Sequence, residues 1–217
     1  MILIPVKNLA SAKQRLAMIL DQASRTELAQ AMLLDVLETL ADWKERPEVA
    51  LVTSDPYAVK LARRFAFEII PDSANHSETD AIEMATAVCV ACGIPDTLVI
   101  PADIPLLESW ELEEILHVAP AEGAVLAPAA DGRGTNAAFR RPAGLFPLRF
   151  GNDSFKPHLA AAEATRKPYI VLQLPGVALD VDNPVELQRL VAAKGETHAQ
   201  RLARQWDLES LPLAANE

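Results

Sequence analysis

Short apolar runs rich in β-branched and aliphatic residues recur along the chain, at Ile2 to Pro5, Val49 to Thr53, Glu68 to Ile70, Thr97 to Pro101 and Ala124 to Pro128. Runs of this length and composition predict strands. Between them the period lengthens. Leu28, Met32, Val36 and Leu40 recur every fourth residue with Leu33 and Leu37 beside them, which makes one apolar face of a helix. Ser24, followed three residues on by Glu27, predicts a capping box at the start of that helix. Further helices are expected over Pro56 to Ala66, Glu78 to Cys92, Glu108 to Val118 and Pro184 to Ala193, each entered from a loop bearing Asp, Glu or Pro. Strand and helix in alternation imply an α/β fold, a mostly parallel sheet covered by helices on both faces.

The regularity changes after Pro128. Ala129-Ala130-Asp131-Gly132-Arg133-Gly134-Thr135 places two glycines in a polar turn between strand-like pieces, so a hairpin or flap is expected there. Arg149-Phe150-Gly151-Asn152-Asp153-Ser154 is a second irregular stretch, with Gly151 free in its backbone and Asp153 or Ser154 able to cap a helix over Phe155 to Ala164. From about Glu196 a last helix should run through Leu202 and Trp206 into a frayed end, Ala214 to Glu217. Nothing resembling a repeat or a linker interrupts the pattern, so a single domain spanning residues 1–217 is expected.

Half of the 217 residues are hydrophobic, enough for a substantial core without metal or disulfide staples. No apolar run approaches the roughly 20 residues that cross a bilayer, and the opening strand lacks the form of a leader, so a cytoplasmic protein without membrane contacts is expected. A formal charge of −10 argues against coating nucleic acid and favours small ligands. An anionic ligand would then need locally clustered cations or a metal ion. Cys89 and Cys92 form a C-x-x-C late in an apolar helical run, and both are expected to be buried packing thiols. The Leu- and Ala-rich composition permits a homodimer.

Candidate chemistry begins directly after the first strand, where Lys7, Lys13 and Arg15 crowd one loop. Cations at the carboxyl end of a strand in an open α/β sheet suit a phosphorylated ligand, although long cationic side chains also simply cover solvated loops. Asp103 follows the fourth strand. Asp180 and Asp182 flank Val181, a spacing that puts both carboxylates on one side of an extended segment. Each acid alone could be a helix cap. Gathered at strand ends, the three would repel one another unless a cation sat among them, and magnesium, a hard ion that takes one or two carboxylates plus phosphate oxygens, is the natural choice. His76, His117, His158 and His198 are scattered, and all four are assigned structural or surface places.

Six segments carry a resemblance: Pro5-Val6-Lys7, Ala12-Lys13-Gln14-Arg15-Leu16, Ala102-Asp103-Ile104-Pro105-Leu106, Gly134-Thr135-Asn136-Ala137, Phe150-Gly151-Asn152-Asp153-Ser154-Phe155 and Asp180-Val181-Asp182. In this order, over residues 1 to about 193, they resemble the CofC guanylyltransferases of deazaflavin coenzyme F(420) biosynthesis. The resemblance implies a Rossmann-like nucleotidyltransferase (GT-A-like) three-layer fold with a small β-hairpin insertion. It also implies transfer of GMP from GTP to the phosphate of 2-phospho-L-lactate, phosphoenolpyruvate or 3-phospho-D-glycerate, with pyrophosphate leaving. Asp103, Asp180 and Asp182 then match the magnesium ligands. Lys13, Thr135, Gly151 and Ser154 match positions that hold the acceptor's phosphate and carboxylate, while Lys7 and Arg15 fall in the nucleotide-facing loop. Because the acceptor phosphate is already ionised near neutral pH, the reaction needs no protein nucleophile or base, only alignment and charge neutralisation.

One segment departs from the family pattern. Where a G-L-N-x-A-L type sequence is usual near the nucleotide, this chain has Ser77-Glu78-Thr79-Asp80-Ala81-Ile82. The acid Asp80 can only accept hydrogen bonds, which suits the N1 and N2 donors of guanine but would equally fit a different nucleotide. The alternatives are a related nucleotidyltransferase or glycosyltransferase of the same fold with another acceptor, and a non-catalytic nucleotide-binding module.

Overall fold

A computed structural model describes residues 1–72, 76–151 and 153–206. The tail expected to fray, Ala214 to Glu217, and Asn152 of the second irregular stretch lie outside the described residues. Seven strands form one sheet: β1 (Ile2–Val6), β2 (Val49–Thr53), β3 (Glu68–Ile70), β4 (Thr97–Val99), β5 (Gly123–Pro128), β6 (Thr135–Arg141) and β7 (Tyr169–Val171). Their order is β3-β2-β1-β4-β6-β5-β7. All pairings are parallel except the two made by β6, which runs antiparallel to both β4 and β5. The expected hairpin is thus β5–β6, and its second strand is built into the main sheet.

Period-two alternation sends successive side chains of each strand to opposite faces. Ile2, Ile4, Leu51, Leu98 and Phe139 share one core with Leu33, Val36 and Leu37 of α1 (Gln22–Asp42), Leu61 of α2 (Pro56–Arg64) and Leu112 of α4 (Ser109–Val118). Leu3, Ala50, Val52, Val99 and Leu126 pack on the other face against Ile82 and Ala85 of α3 (Glu78–Ala91) and Ala162 of α5 (Phe155–Ala164). This is the two-sided coverage that the strand composition implied.

A third cluster lies off the sheet. Leu28 and Met32 of α1 meet Leu179, Val181, Leu187 and Leu190 around α7 (Pro184–Ala192), with Ala199 and Ala203 of α8 (His198–Ala203). Leu179 and Val181 are buried while Asp180 and Asp182 alternate with them, so the inward apolar pair turns both acids the other way. The short helix before this segment, α6 (Pro175–Ala178), is seated by the buried carboxylate of Glu111, which accepts the backbone N–H groups of Gly176 at 2.7 Å and Val177 at 3.3 Å.

Two local expectations are corrected. Helix α1 is capped by Asp21, which accepts the Ser24 N–H at 2.8 Å, so the helix starts before Ser24; Asp competes with Ser as an N-cap and here sits beside the buried Leu20. Cys89 is buried, but Cys92 is exposed, because α3 ends at Ala91 and the chain turns away at Gly93.

A Cβ on Gly176 would lie 2.3 Å from both Glu111 Oε2 and the Leu106 carbonyl oxygen. Gly176→Ala is therefore expected to lower stability by about 1–3 kcal/mol through overpacking, read as an earlier urea midpoint at unchanged slope.

Candidate active site

Strands β1 and β4 are parallel neighbours, and the loops that follow their carboxyl ends carry Lys13 and Asp103. Lys13 sits between two 3-10 turns, Leu9–Ser11 and Gln14–Leu16, with left-handed backbone angles, φ 56° and ψ 43°. That non-glycine strain directs its side chain inward, where only 6 % of it is exposed. The Nζ donates to Asp103 Oδ2 and, at 2.8 Å, to Asp182 Oδ1. Two of the three acids, Asp103 and Asp182, thus share the lysine ammonium as their cation. Burial would lower its pKa, but Asp103 and Asp182 raise it on balance, so Lys13 stays charged. Asp182 is itself desolvated, yet Lys13 holds its carboxyl below the usual range.

Asp180 faces a different partner, accepting Asn136 Nδ2 at 2.9 Å. Burial and then the nearby Asp103 push its pKa up to about 6. Glu78, at the start of α3, is pushed up to about 7 by burial and by Asp103 and Asp182, with Lys13 and Lys7 opposing. These carboxylates line one cleft of about 440 Å³ together with Thr135, Gly151, Ser154 and Arg133. Seven acids border it, Glu78, Asp103, Asp131, Asp153, Asp180, Asp182 and Glu186, against the two guanidinium groups of Arg15 and Arg133. Arg133 pairs with Asp153 across the rim, Nη2 to Oδ2 at 3.1 Å, and Arg15 lies 4.0 Å from Asp182. A larger hollow of about 600 Å³ between α1, α4 and α8 shares none of these residues.

The far wall is built from neutral hydroxyls. The Thr135 N–H donates to Ser154 Oγ at 3.1 Å, and the Thr135 hydroxyl lies 2.9 Å from His158 Nδ1. Ser154 stands at the N-cap of α5 without capping it; its oxygen is engaged by Thr135 instead. Gly151 has φ 132° and nothing within 4 Å of where a Cβ would be, so the loop there is open and its conformation belongs to glycine. Hydroxyl oxygens occupied as acceptors still hold a proton to give, which suits an anion.

A model of the family described as "Guanylyl transferase CofC like" matches residues 1–213. The chain belongs to this family. A phosphoenolpyruvate guanylyltransferase of Roseiflexus castenholzii is 35 % identical over 207 residues, covering 94 % of this chain and 93 % of the relative. A 2-phospho-L-lactate guanylyltransferase of Methanothermobacter thermautotrophicus is 30 % identical over 202 residues, covering 93 % and 88 %. Among solved structures, a candidate nucleotide-diphospho-sugar transferase from Desulfovibrio desulfuricans superposes with a TM-score of 0.76 at 18 % identity, over 94 % of this chain and 93 % of that one. A 4-diphosphocytidyl-2C-methyl-D-erythritol synthase gives 0.57 at 16 % identity, over 88 % and 98 %. The fold is that of the nucleotidyltransferases, and the CofC-like chain is an enzyme of the guanylyltransferase kind.

Within this CofC-like chain the structure brings Arg15, Asp103, Thr135, Gly151, Ser154, Asp180 and Asp182 around one cleft, with Lys13 behind the lining and bound to Asp103 and Asp182. Lys7 is bound at 2.6 Å to the buried Asp72 and is not among the lining residues. Asp80 is exposed and exchanges hydrogen bonds with Ser77, again off the cleft, whereas Glu78, two residues earlier, lines it. Thr79 ties α3 to the second irregular loop by accepting the Phe150 N–H at 2.9 Å. Glu78, Asn136 and His158 were not singled out from sequence. Asn136 stood in the Gly134-Thr135-Asn136-Ala137 segment, and His158 lies four residues after Ser154, on the same helix face.

His158 is fully buried, and burial, with Arg140 nearby, lowers its pKa to about 4. For a base whose folded pKa is depressed, stability is fully present above the unfolded value near 6.5 and is lost as pH falls toward 4. Between those limits the native chain is expected to lose up to roughly 3 kcal/mol more than a His158→Asn variant, read from urea unfolding at stepped pH.

Proposed function

We propose that this chain joins GMP from GTP to the phosphate of a three-carbon acid, 2-phospho-L-lactate, phosphoenolpyruvate or 3-phospho-D-glycerate, in deazaflavin coenzyme biosynthesis. The observation that carries the reading is Lys13 clamped between Asp103 and Asp182, two carboxylates that line the same cleft as the Thr135, Gly151 and Ser154 wall. An acceptor phosphate oxygen attacks the α-phosphorus of GTP, the new P–O bond forms, and the bond to pyrophosphate breaks. Nothing in the chain has to take a proton. Lys13 and Arg15 neutralise phosphate charge; Thr135, Ser154 and the open backbone at Gly151 orient the acceptor.

Magnesium fits the residues present. Asp103 Oδ1 is buried without a hydrogen-bond partner, and Asp103 adds, after burial, to the raised pKa values of the neighbouring Asp180 and Glu78. No group of three or more His, Cys, Asp or Glu among the described residues is arranged to hold a metal ion by itself; magnesium commonly takes one or two carboxylates plus substrate phosphate oxygens. Asp103 and Asp182 would hold it, with Asp180 beside them, and it would neutralise charge on the triphosphate and leaving pyrophosphate. Lys7 takes an indirect part, holding the Asp72 segment, and Asp80, exposed and off the cleft, is given no contact to the nucleotide.

The proposed setting is the cytoplasm, with small-molecule partners, no nucleic acid and no membrane; the composition permits a homodimer without requiring one. No helix among the described residues is long and apolar enough to cross a membrane.

Mass spectrometry of an incubation with GTP, magnesium and the three acids together tests the reading. It should reveal one acid extended by GMP, with matching pyrophosphate; absence of any such adduct would contradict it. Asp182→Asn and Asp103→Asn should each cut turnover by about 100-fold or more while the thermal melt stays cooperative. Near-native turnover in either would remove the metal role.

A further inference from the structure

We propose that His158 is a positioning residue for the acceptor, locking the Thr135 hydroxyl as a donor into the cleft. Its Nε2 lies 2.7 Å from the backbone N–H of Arg149. A backbone N–H can only donate, so Nε2 carries a lone pair and the single proton of the neutral imidazole resides on Nδ1. Nδ1 is 2.9 Å from Thr135 Oγ1 and therefore donates to it. The threonine oxygen accepts, and its own proton is left for whatever occupies the cleft that Thr135 lines. The opposite tautomer would take the hydroxyl proton and turn lone pairs toward a bound anion.

The ring is held against rotation. It is fully buried, and Phe150 meets it edge-on with centroids 5.2 Å apart at 70°. Burial and Arg140 keep it neutral. Because Nε2 also fixes the Arg149 backbone, one imidazole couples the hydroxyl of β6 to the loop that presents Gly151 and Ser154. The group touches no substrate itself. The inference rests on the reading that Thr135 and Ser154 hold the acceptor's anion.

Three measurements on the full chain test it. Long-range 15N–1H NMR of histidine-labelled protein, with His158 assigned by its absence from the His158→Asn spectrum, should show Nδ1 protonated and Nε2 bare; the reverse overturns the proposal whatever the activity. His158→Phe, which keeps the ring volume but loses both bonds, should raise the KM and calorimetric Kd for the acceptor acid about tenfold, with the KM for GTP within about twofold. His158→Asn, whose amide N–H can take the Nδ1 place, should recover most of that loss. An unchanged acceptor KM in His158→Phe, or a loss in kcat alone, overturns the positioning role while wild-type turnover leaves the guanylyltransferase reading standing. A wild-type chain that neither binds nor converts any of the acids overturns both. Should His158→Phe fail to fold, Thr135→Val takes its place, with the same rise in acceptor KM expected and an unchanged value counting against the proposal.

Discussion

One ammonium group organises the ligand edge of this molecule. Lys13 follows β1, Asp103 follows the adjacent β4, and Asp182 returns from the far end of the chain; all three meet because the first two strands are parallel neighbours that send their loops to the same edge of the sheet. The backbone reinforces the meeting, since the Val181 N–H donates to the Asp103 carbonyl at 3.2 Å. Without the lysine, carboxylates would face one another in a partly desolvated cleft, a costly arrangement. With it, residues 90 and 169 positions apart in sequence form one cluster. The apolar packing of Leu179 and Val181 against α1 and α7 supplies the other half of the constraint, turning the acids outward at a fixed spacing.

The same cleft has a chemical logic that its charge alone would hide. A chain of net charge −10, with seven carboxylates at the site, would repel a nucleoside triphosphate and an anionic acid in succession. Two devices answer this. On the proposed reading the acids would offer a hard cation a place beside substrate phosphate, and the hydroxyl wall would meet anions with neutral donors whose oxygens already have a partner in the protein. The hydroxyl wall adds no positive charge that would compete with Lys13 for the carboxylates. Fixed hydroxyl dipoles also need no reorganisation when charge spreads in the transition state, which is the usual source of rate in phosphoryl-type transfer.

Much of this was legible from sequence because the strands are short, apolar and punctuated, and β1, β2, β3 and β5 all sit where composition put them. Asp180 and Asp182 could be paired in advance because extended chain alternates by two. Other features depend on the tertiary arrangement. Strand β7 (Tyr169–Val171) is only three residues long at the sheet edge and carries no distinctive run. Asp80 and Glu78 differ by two helical positions, about 200° around the axis, so only the docking of α3 decides which one faces the cleft. Cys92 left the core because a helix ended one residue sooner. Sequence assigns His158 only a structural or surface place; its burial, and the backbone N–H that fixes its tautomer, come from the tertiary fold.

On the proposed reading, Asp103 and Asp182 share one divalent cation once substrate phosphates are present. Crystals grown with manganese in place of magnesium and a non-hydrolysable GTP analogue test it through anomalous scattering. The account predicts a single strong peak within coordination distance of both carboxylates and a triphosphate oxygen, with the Lys13 ammonium moved onto phosphate. A triphosphate bound with no peak there, or with Lys13 still bridging Asp103 and Asp182, would contradict it.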